Sequence, residues 1–301
     1  MKTPALTFVC GVLGLVHPAA AQLAPVNEVG LSIGHLHLRA PDREKEAKAW
    51  LALGGQLENN LSANIPIGFP GVVILLQQRQ VKGGSAGSLI DHVAFRVLDL
   101  QASLTKWKGI ETWWKLANWG LTIEPGNKPG QAFVTTPGGT RCEILEDKTL
   151  KSPIVFDHVH YFVDESRMRE MENYYTKMFG AKPVKGQPDT LHMPGANLVF
   201  TKATMPTTET MGRSLDHIGF NMLNAPALKA FAATLETKGA KFQRPYEASS
   251  MGMIRLEDGF GTVVEITKAQ GGYFDPKLLD PAYFEVDEGG RKQGETPAHP
   301  R

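Results

Sequence analysis

Four stretches of alternating apolar and polar residues recur along the chain: Ile33–Asp42, Ile90–Asp99, Phe156–Asp164 and Leu215–Asn224. A period of two predicts strands. Each stretch carries a histidine at the same place, namely His35, His92, His158 and His217. Each also ends near an Asp or Asn suited to cap a following helix. Helical runs follow at Glu44–Leu53, Arg167–Phe179 and Ala225–Lys238, and stop at Gly54, Gly180 and Gly239. Glycine suits the left-handed residue that ends a helix. Every unit closes on a glycine and a mostly apolar run: Gly71–Leu76, Gly139–Ile144, Gly195–Phe200 and Gly261–Ile266. The pattern predicts four units of strand, helix and about three strands, with hairpin turns at Thr136–Gly139 and Asp258–Gly259.

The spacing makes the two halves copies. His35 to His158 is 123 positions, His92 to His217 is 125, and Glu143 to Glu265 is 122. These offsets predict a duplicated two-unit domain. One copy covers residues 30–150 and the other 151–270, joined near Lys151–Pro153, with a Gly/Pro-bearing C-terminal tail over 271–301. The tail's extreme end, after Gly290, is expected to be disordered.

Composition then narrows the class. The apolar fraction of 42% supports packed cores, and a net charge of +1 gives no case for nucleic acid or an acidic membrane. Two cysteines exclude a disulfide framework and a cysteine-rich zinc cluster. Lys2, the apolar run Ala5–Val16 and Ala19–Ala21 read as a secretory signal peptide over residues 1–21, against the alternative of an N-terminal anchor or buried helix. A periplasmic or secreted protein, free of the membrane after cleavage, is the expectation. Cys142 then remains as a lone thiol, on the strand face opposite Glu143 and so packed in the core. Trp107, Trp113, Trp114 and Trp119 crowd one stretch, as core between domains or, less favoured, as the wall of an aromatic pocket.

The βαβββ unit, with its first-strand His and last-strand Glu, resembles the vicinal oxygen chelate superfamily. That superfamily includes glyoxalase I, bleomycin-resistance and fosfomycin-resistance proteins and extradiol dioxygenases. The resemblance covers about residues 30–270. It implies an α+β fold in which four tandem modules pair into two cupped sheets, each enclosing a metal and a small ligand.

The ligands follow from the residues. Units two and four supply Glu143 and Glu265, whereas units one and three have Leu75 and Val199 at the matching positions. Each half therefore offers two His and one Glu: His35, His92 and Glu143 in the first, and His158, His217 and Glu265 in the second. That set resembles the facial triad of non-heme iron enzymes, so iron(II) is the first expectation, with manganese, nickel or zinc as alternatives. A lone strand histidine is ordinarily a satisfied core residue. Four equivalent histidines, with two carboxylates in apolar strands, shift the balance towards metal. His37 and His160 lie two residues on, on the same face as His35 and His158. They are candidate bases or alternate ligands, or simply strand residues. Their counterparts Ala94 and Gly219 are small and leave room. His192 is a candidate proton donor or a surface turn residue. The Tyr expected before the last hairpin of ring-cleaving relatives is Phe133 or Arg255 here, which argues against catechol cleavage by that route.

The reading that results is an exported, metal-dependent lyase or dioxygenase acting on a small substrate chelated through adjacent oxygens. The alternative is a small-molecule-binding protein of the bleomycin-resistance type.

Overall fold

A computed structural model describes residues 24–58, 64–109, 119–246 and 252–268. The signal-peptide reading, Trp113, Trp114 and the tail after Lys268 lie outside these residues.

All four predicted units form. Module one is β1 (Leu31–Ala40), α1 (Arg43–Leu53), β2 (Gln56–Leu57), β3 (Ile65–Phe69) and β4 (Val72–Gln78). Module two is β5 (Ile90–Val97), α2 (Leu100–Trp107), β6 (Thr122–Pro125), β7 (Gln131–Thr135) and β8 (Arg141–Glu146). Module three is β9 (Ile154–Val163), α3 (Met168–Phe179), β10 (Lys182–Pro183), β11 (Thr190–Met193) and β12 (Ala196–Lys202). Module four is β13 (Leu215–Met222), α4 (Ala225–Thr237), β14 (Lys241–Arg244), β15 (Met253–Glu257) and β16 (Val263–Lys268). The capping residues act as their chemistry suggests. Asp42, Asp99 and Asn224 each accept a hydrogen bond from a backbone N–H in the first turn of α1, α2 and α4. Gly54 and Gly180 close α1 and α3 in the left-handed conformation, at φ 118° and 69°.

The modules form two eight-stranded mixed sheets. Their strand orders are β14-β15-β16-β13-β1-β4-β3-β2 and β10-β11-β12-β9-β5-β8-β7-β6. Module one thus pairs with module four, and module two with module three. This corrects the sequential pairing expected within residues 30–150 and 151–270. The reason lies in the connections. The short link Asp147–Pro153 steps around the end of β5, where Asp147 N–H donates to Val97 O at 2.8 Å and Leu98 N–H donates to Pro153 O at 3.1 Å. It delivers β9 to the free edge of β5 in the same sheet. The links leaving β4 and β12 instead cross to the other sheet and bond to each other. Lys82 N–H donates to Gly212 O at 2.8 Å, and Ser214 N–H to Gly83 O at 3.0 Å.

One continuous apolar core joins the two sheets. Trp50 of α1 meets Phe69 of the first sheet and Phe95 of the second, with ring centroids 6.0 and 6.1 Å away. Phe179 of α3 packs on Phe220 of the first sheet at 5.1 Å. Trp107 and Cys142 belong to this core, as expected. A buried carboxylate adds a polar tie across modules. Glu46 of α1 accepts from Trp50 Nε1 at 2.9 Å, Thr136 Oγ1 at 2.6 Å and the Gly138 N–H at 2.6 Å. Burial pushes its pKa up, against these three donors. Replacing Glu46 with Leu leaves three buried donors unpartnered, and should cost about 2–5 kcal/mol of stability, read from urea unfolding. An unchanged midpoint would show that the tie holds nothing.

Candidate metal centres

The antiparallel pairing of first strands builds the sites. On β1 and β13, His35 lies opposite Gly219, and His37 opposite His217. On β5 and β9, His158 lies opposite Ala94, and His160 opposite His92. The last strand of one module in each pair adds a carboxylate, since Glu265 pairs with Gly219 and Glu143 with Ala94. The parallel neighbours of His37 and His160 are Leu75 and Val199, the positions where a fourth carboxylate would otherwise stand. Two clusters of potential ligands result, each with its atoms within 4.8 Å of one another: His35, His37, His217 and Glu265, and His92, Glu143, His158 and His160.

All eight residues singled out in the sequence therefore converge, but in different company. His35 shares a cluster with His217 and Glu265, not with His92 and Glu143. His158 joins His92 and Glu143, not His217 and Glu265. This regrouping corrects the two expected triads and follows directly from the module pairing.

Each cluster is buried and poorly satisfied internally. At the β1/β13 centre, His35 Nε2 lies 3.3 Å from Glu265 Oε1, and His217 Nε2 lies 3.4 Å from Oε2. At the β5/β9 centre, Glu143 Oε2 is 3.5 Å from His92 Nε2 and 3.4 Å from His158 Nε2. The Nε2 atoms of His35, His92 and His217, and Nδ1 of His37, are buried without a hydrogen-bond partner. Buried polar atoms are rarely left so. Ligand atoms about 2.1 Å from a shared ion would stand about 3.0–3.4 Å apart, so the donor set fits a divalent metal.

The ring tautomers are fixed from behind. His217 Nδ1 bonds Asp216 at 2.6 Å, His92 Nδ1 bonds Asp91 at 2.8 Å, and His158 Nδ1 bonds Asp157 at 2.8 Å. An Nδ1–H given to a carboxylate leaves the Nε2 lone pair facing the centre. The aspartates are held in turn: Asp216 by Arg39 at 2.6 Å, Asp91 by Arg141 at 3.0 Å, and Asp157 by Arg96 at 2.7 Å. Sequence reasoning did not assign these aspartates a role. The Asp-His pair that recurs in three of the four first strands was the available signal.

Burial opposes ionisation of Glu265 and Glu143, yet the imidazoles beside them outweigh it and hold both carboxyls well below the usual range. Burial likewise works against charge on His217 and His158, but the flanking carboxylates win and raise both above the usual imidazole value. His37 and His160 are different. Burial, then the neighbouring imidazoles, lower each to about 3, so both are neutral near pH 7. His160 is also anchored, with Nε2 at 2.8 Å from Thr201 Oγ1 and Nδ1 at 3.3 Å from His158 Nε2. His192 lies exposed on β11, where it bonds Asn197 at 3.1 Å.

The residue facing each glutamate from the neighbouring hairpin strand also matters. Phe133 pairs with Glu143 and Arg255 with Glu265. Arg255 Nε donates to Glu265 Oε2 at 2.7 Å. At the other centre Gln131 Nε2 donates to Glu143 Oε1, a residue that the sequence reading missed. It is polar within a mostly apolar strand, and two positions from Phe133, which puts it on the same face.

Gly219 makes room for the His35 ring, because a Cβ placed there would lie 2.0 Å from its Cε1. Gly219→Ala should therefore lower stability by about 1–3 kcal/mol through overpacking. Urea unfolding measures it, and an unaltered midpoint would mean that the ring does not fill that space.

The architecture has solved counterparts. The chain resembles glyoxalase I from Zea mays at a TM-score of 0.58 and 18% identity, covering 79% of this chain and 92% of that one. A putative dioxygenase from Bacillus subtilis gives a TM-score of 0.56 at 13% identity, covering 80% of this chain and 86% of that one. No curated protein matches the chain in sequence. Residues 155–266 match the Glyoxalase/Bleomycin resistance protein/Dioxygenase superfamily. The matched segment is modules three and four, which lie in different sheets. Modules three and four thus carry the sequence signature of that superfamily, and the four modules together share the fold of glyoxalase I.

Proposed function

We propose that this chain is an exported, metal-dependent enzyme acting on a small molecule chelated through two adjacent oxygens. One observation carries the reading: in each sheet, imidazoles converge with a carboxylate on one buried point, and the inward Nε2 atoms of His35, His217 and His92 lack a hydrogen bond there. His35, His217 and Glu265 would hold one ion, and His92, His158 and Glu143 the other. Iron(II) is the first candidate for this two-His, one-carboxylate set, with manganese, nickel or zinc as alternatives. A bound divalent ion would polarise the substrate oxygens and stabilise negative charge as it develops on them.

The protein's own groups do the rest. Leu75 and Val199, where a further carboxylate would otherwise stand, leave each ligand set at three and leave space for the substrate oxygens. His37 and His160 are neutral imidazoles, held near 3 by burial and the neighbouring rings, so each is a weak base that would take up a proton only transiently and pass it on. Thr201 gives His160 a hydroxyl route outwards. Lyase chemistry on a thiol adduct of a glyoxal and opening of an epoxide both need such a proton acceptor. Ring cleavage of a catechol is the least supported, because Phe133 and Arg255 supply no proton donor.

Elemental analysis of the purified chain should give two divalent ions per molecule. His37→Gln and His160→Gln should keep that metal and slow turnover by about a hundredfold or more on whichever glyoxal-thiol, epoxide or catechol substrate is active. Loss of metal in either variant would make that histidine a ligand. Metal-loaded protein without turnover on these classes would favour a small-molecule-binding protein instead.

Export rests on the apolar run ending at Ala19–Ala21. Intact mass of the natively produced protein should start near Gln22. A soluble chain that retains residues 1–21 would contradict it.

A further inference from the structure

We propose that the two centres are unequal: the β5/β9 centre holds a divalent cation more tightly, and Arg255 and Gly34 weaken the β1/β13 centre. The inference rests on the metal reading above and ranks its two sites.

The first difference lies on the carboxylate. Glu265 shares its Oε2 with the guanidinium of Arg255 at 2.7 Å, whereas Glu143 is bonded by the neutral amide of Gln131. A cation already seated on a ligand oxygen competes with a metal for it and repels the metal's charge. The contrast extends outwards. Arg255 pairs with Arg244 on β14, while Phe133, at the matching place, pairs with Glu124 on β6. Two arginines thus neighbour Glu265, whereas the rim beside Glu143 carries both signs, because Arg141 stacks over the Phe133 ring at 3.8 Å.

The second difference lies behind the histidines. Asp91, Asp157 and Asp216 immediately precede His92, His158 and His217, and each bonds the Nδ1 of that ring. The residue before His35 is Gly34. Among the described residues, the carboxylate within ion-pair distance of His35 is Glu265 itself. An aspartate cannot be accommodated at position 34, because a Cβ there would lie 2.3 Å from Asn221 Oδ1. That oxygen also accepts from Thr267 Oγ1 at 3.1 Å, which keeps the amide in place. A carboxylate behind a ligating imidazole raises its basicity and fixes its orientation. The β5/β9 centre has two such histidines and the β1/β13 centre has one. Both differences act in the same direction.

Calorimetric titration of the metal-stripped full chain with Co2+ tests the ranking. The wild type should show two phases whose affinities differ by about tenfold or more. Glu143→Gln should remove the tighter phase, and Glu265→Gln the weaker. Arg255→Gln should tighten the weaker phase by about tenfold and close the gap, while Gln131→Arg should weaken the tighter phase. Should Arg255→Gln not fold, as judged by thermal unfolding, Gln131→Arg decides. Two equal phases in the wild type overturn the ranking alone. So does a tighter phase that survives Glu143→Gln, or a weaker phase unmoved in folded Arg255→Gln. Absence of any Co2+ binding overturns the metal reading, and the ranking with it.

Discussion

The antiparallel pairing of first strands is the constraint on which both centres depend. In each sheet the strand that carries two histidines lies against a strand that carries one, with His37 opposite His217 and His160 opposite His92. A side-chain period of two turns all of these rings to one face. Leu36, Leu38 and Val159 then face the core that joins the sheets. A slip of one residue would send the imidazoles into that core and the leucines into the cup, so the apolar packing also fixes the register of the ligands.

Local choices support that pairing at specific points. Gly219 gives the His35 ring its space, and the aspartates behind three of the histidines set the ring nitrogen that faces inward. The price is a set of buried nitrogens without partners, a cost that a bound cation would remove. The two centres are built alike because modules one and two are repeated as three and four. They diverge at single positions: Arg255 against Phe133, Met253 against Gln131, and Gly34 against Asp157. The fold can thus keep two cups while their chemistry drifts apart.

Much of this was legible in the sequence. The alternating runs, helix caps and terminal glycines outlined the four modules, with their first and last strands and three of the four helices. The spacing of His and Glu picked out six residues that the structure gathers into two clusters. The choice of module partner was not legible. The four first strands share one pattern, so nothing in β5 favours β9 over β1. The decision is made by link length, with the short Asp147–Pro153 turn keeping modules two and three in one sheet. Gln131 escaped notice because its role depends on a cross-strand neighbour, Glu143, which sequence spacing does not reveal. The link Arg79–Leu89 also gave no sign that it would bond to Ala203–Ser214, more than a hundred residues away.

The central claim is that ligands from modules one and four form one centre, and those from modules two and three the other. Elemental analysis of the double variant His35→Ala/Glu265→Ala, saturated with metal, tests it most directly. Both changes fall in one centre here, so the variant should retain one ion per chain. Ligands grouped by sequence halves would lose one residue from each centre, and a chain retaining no metal would contradict the account.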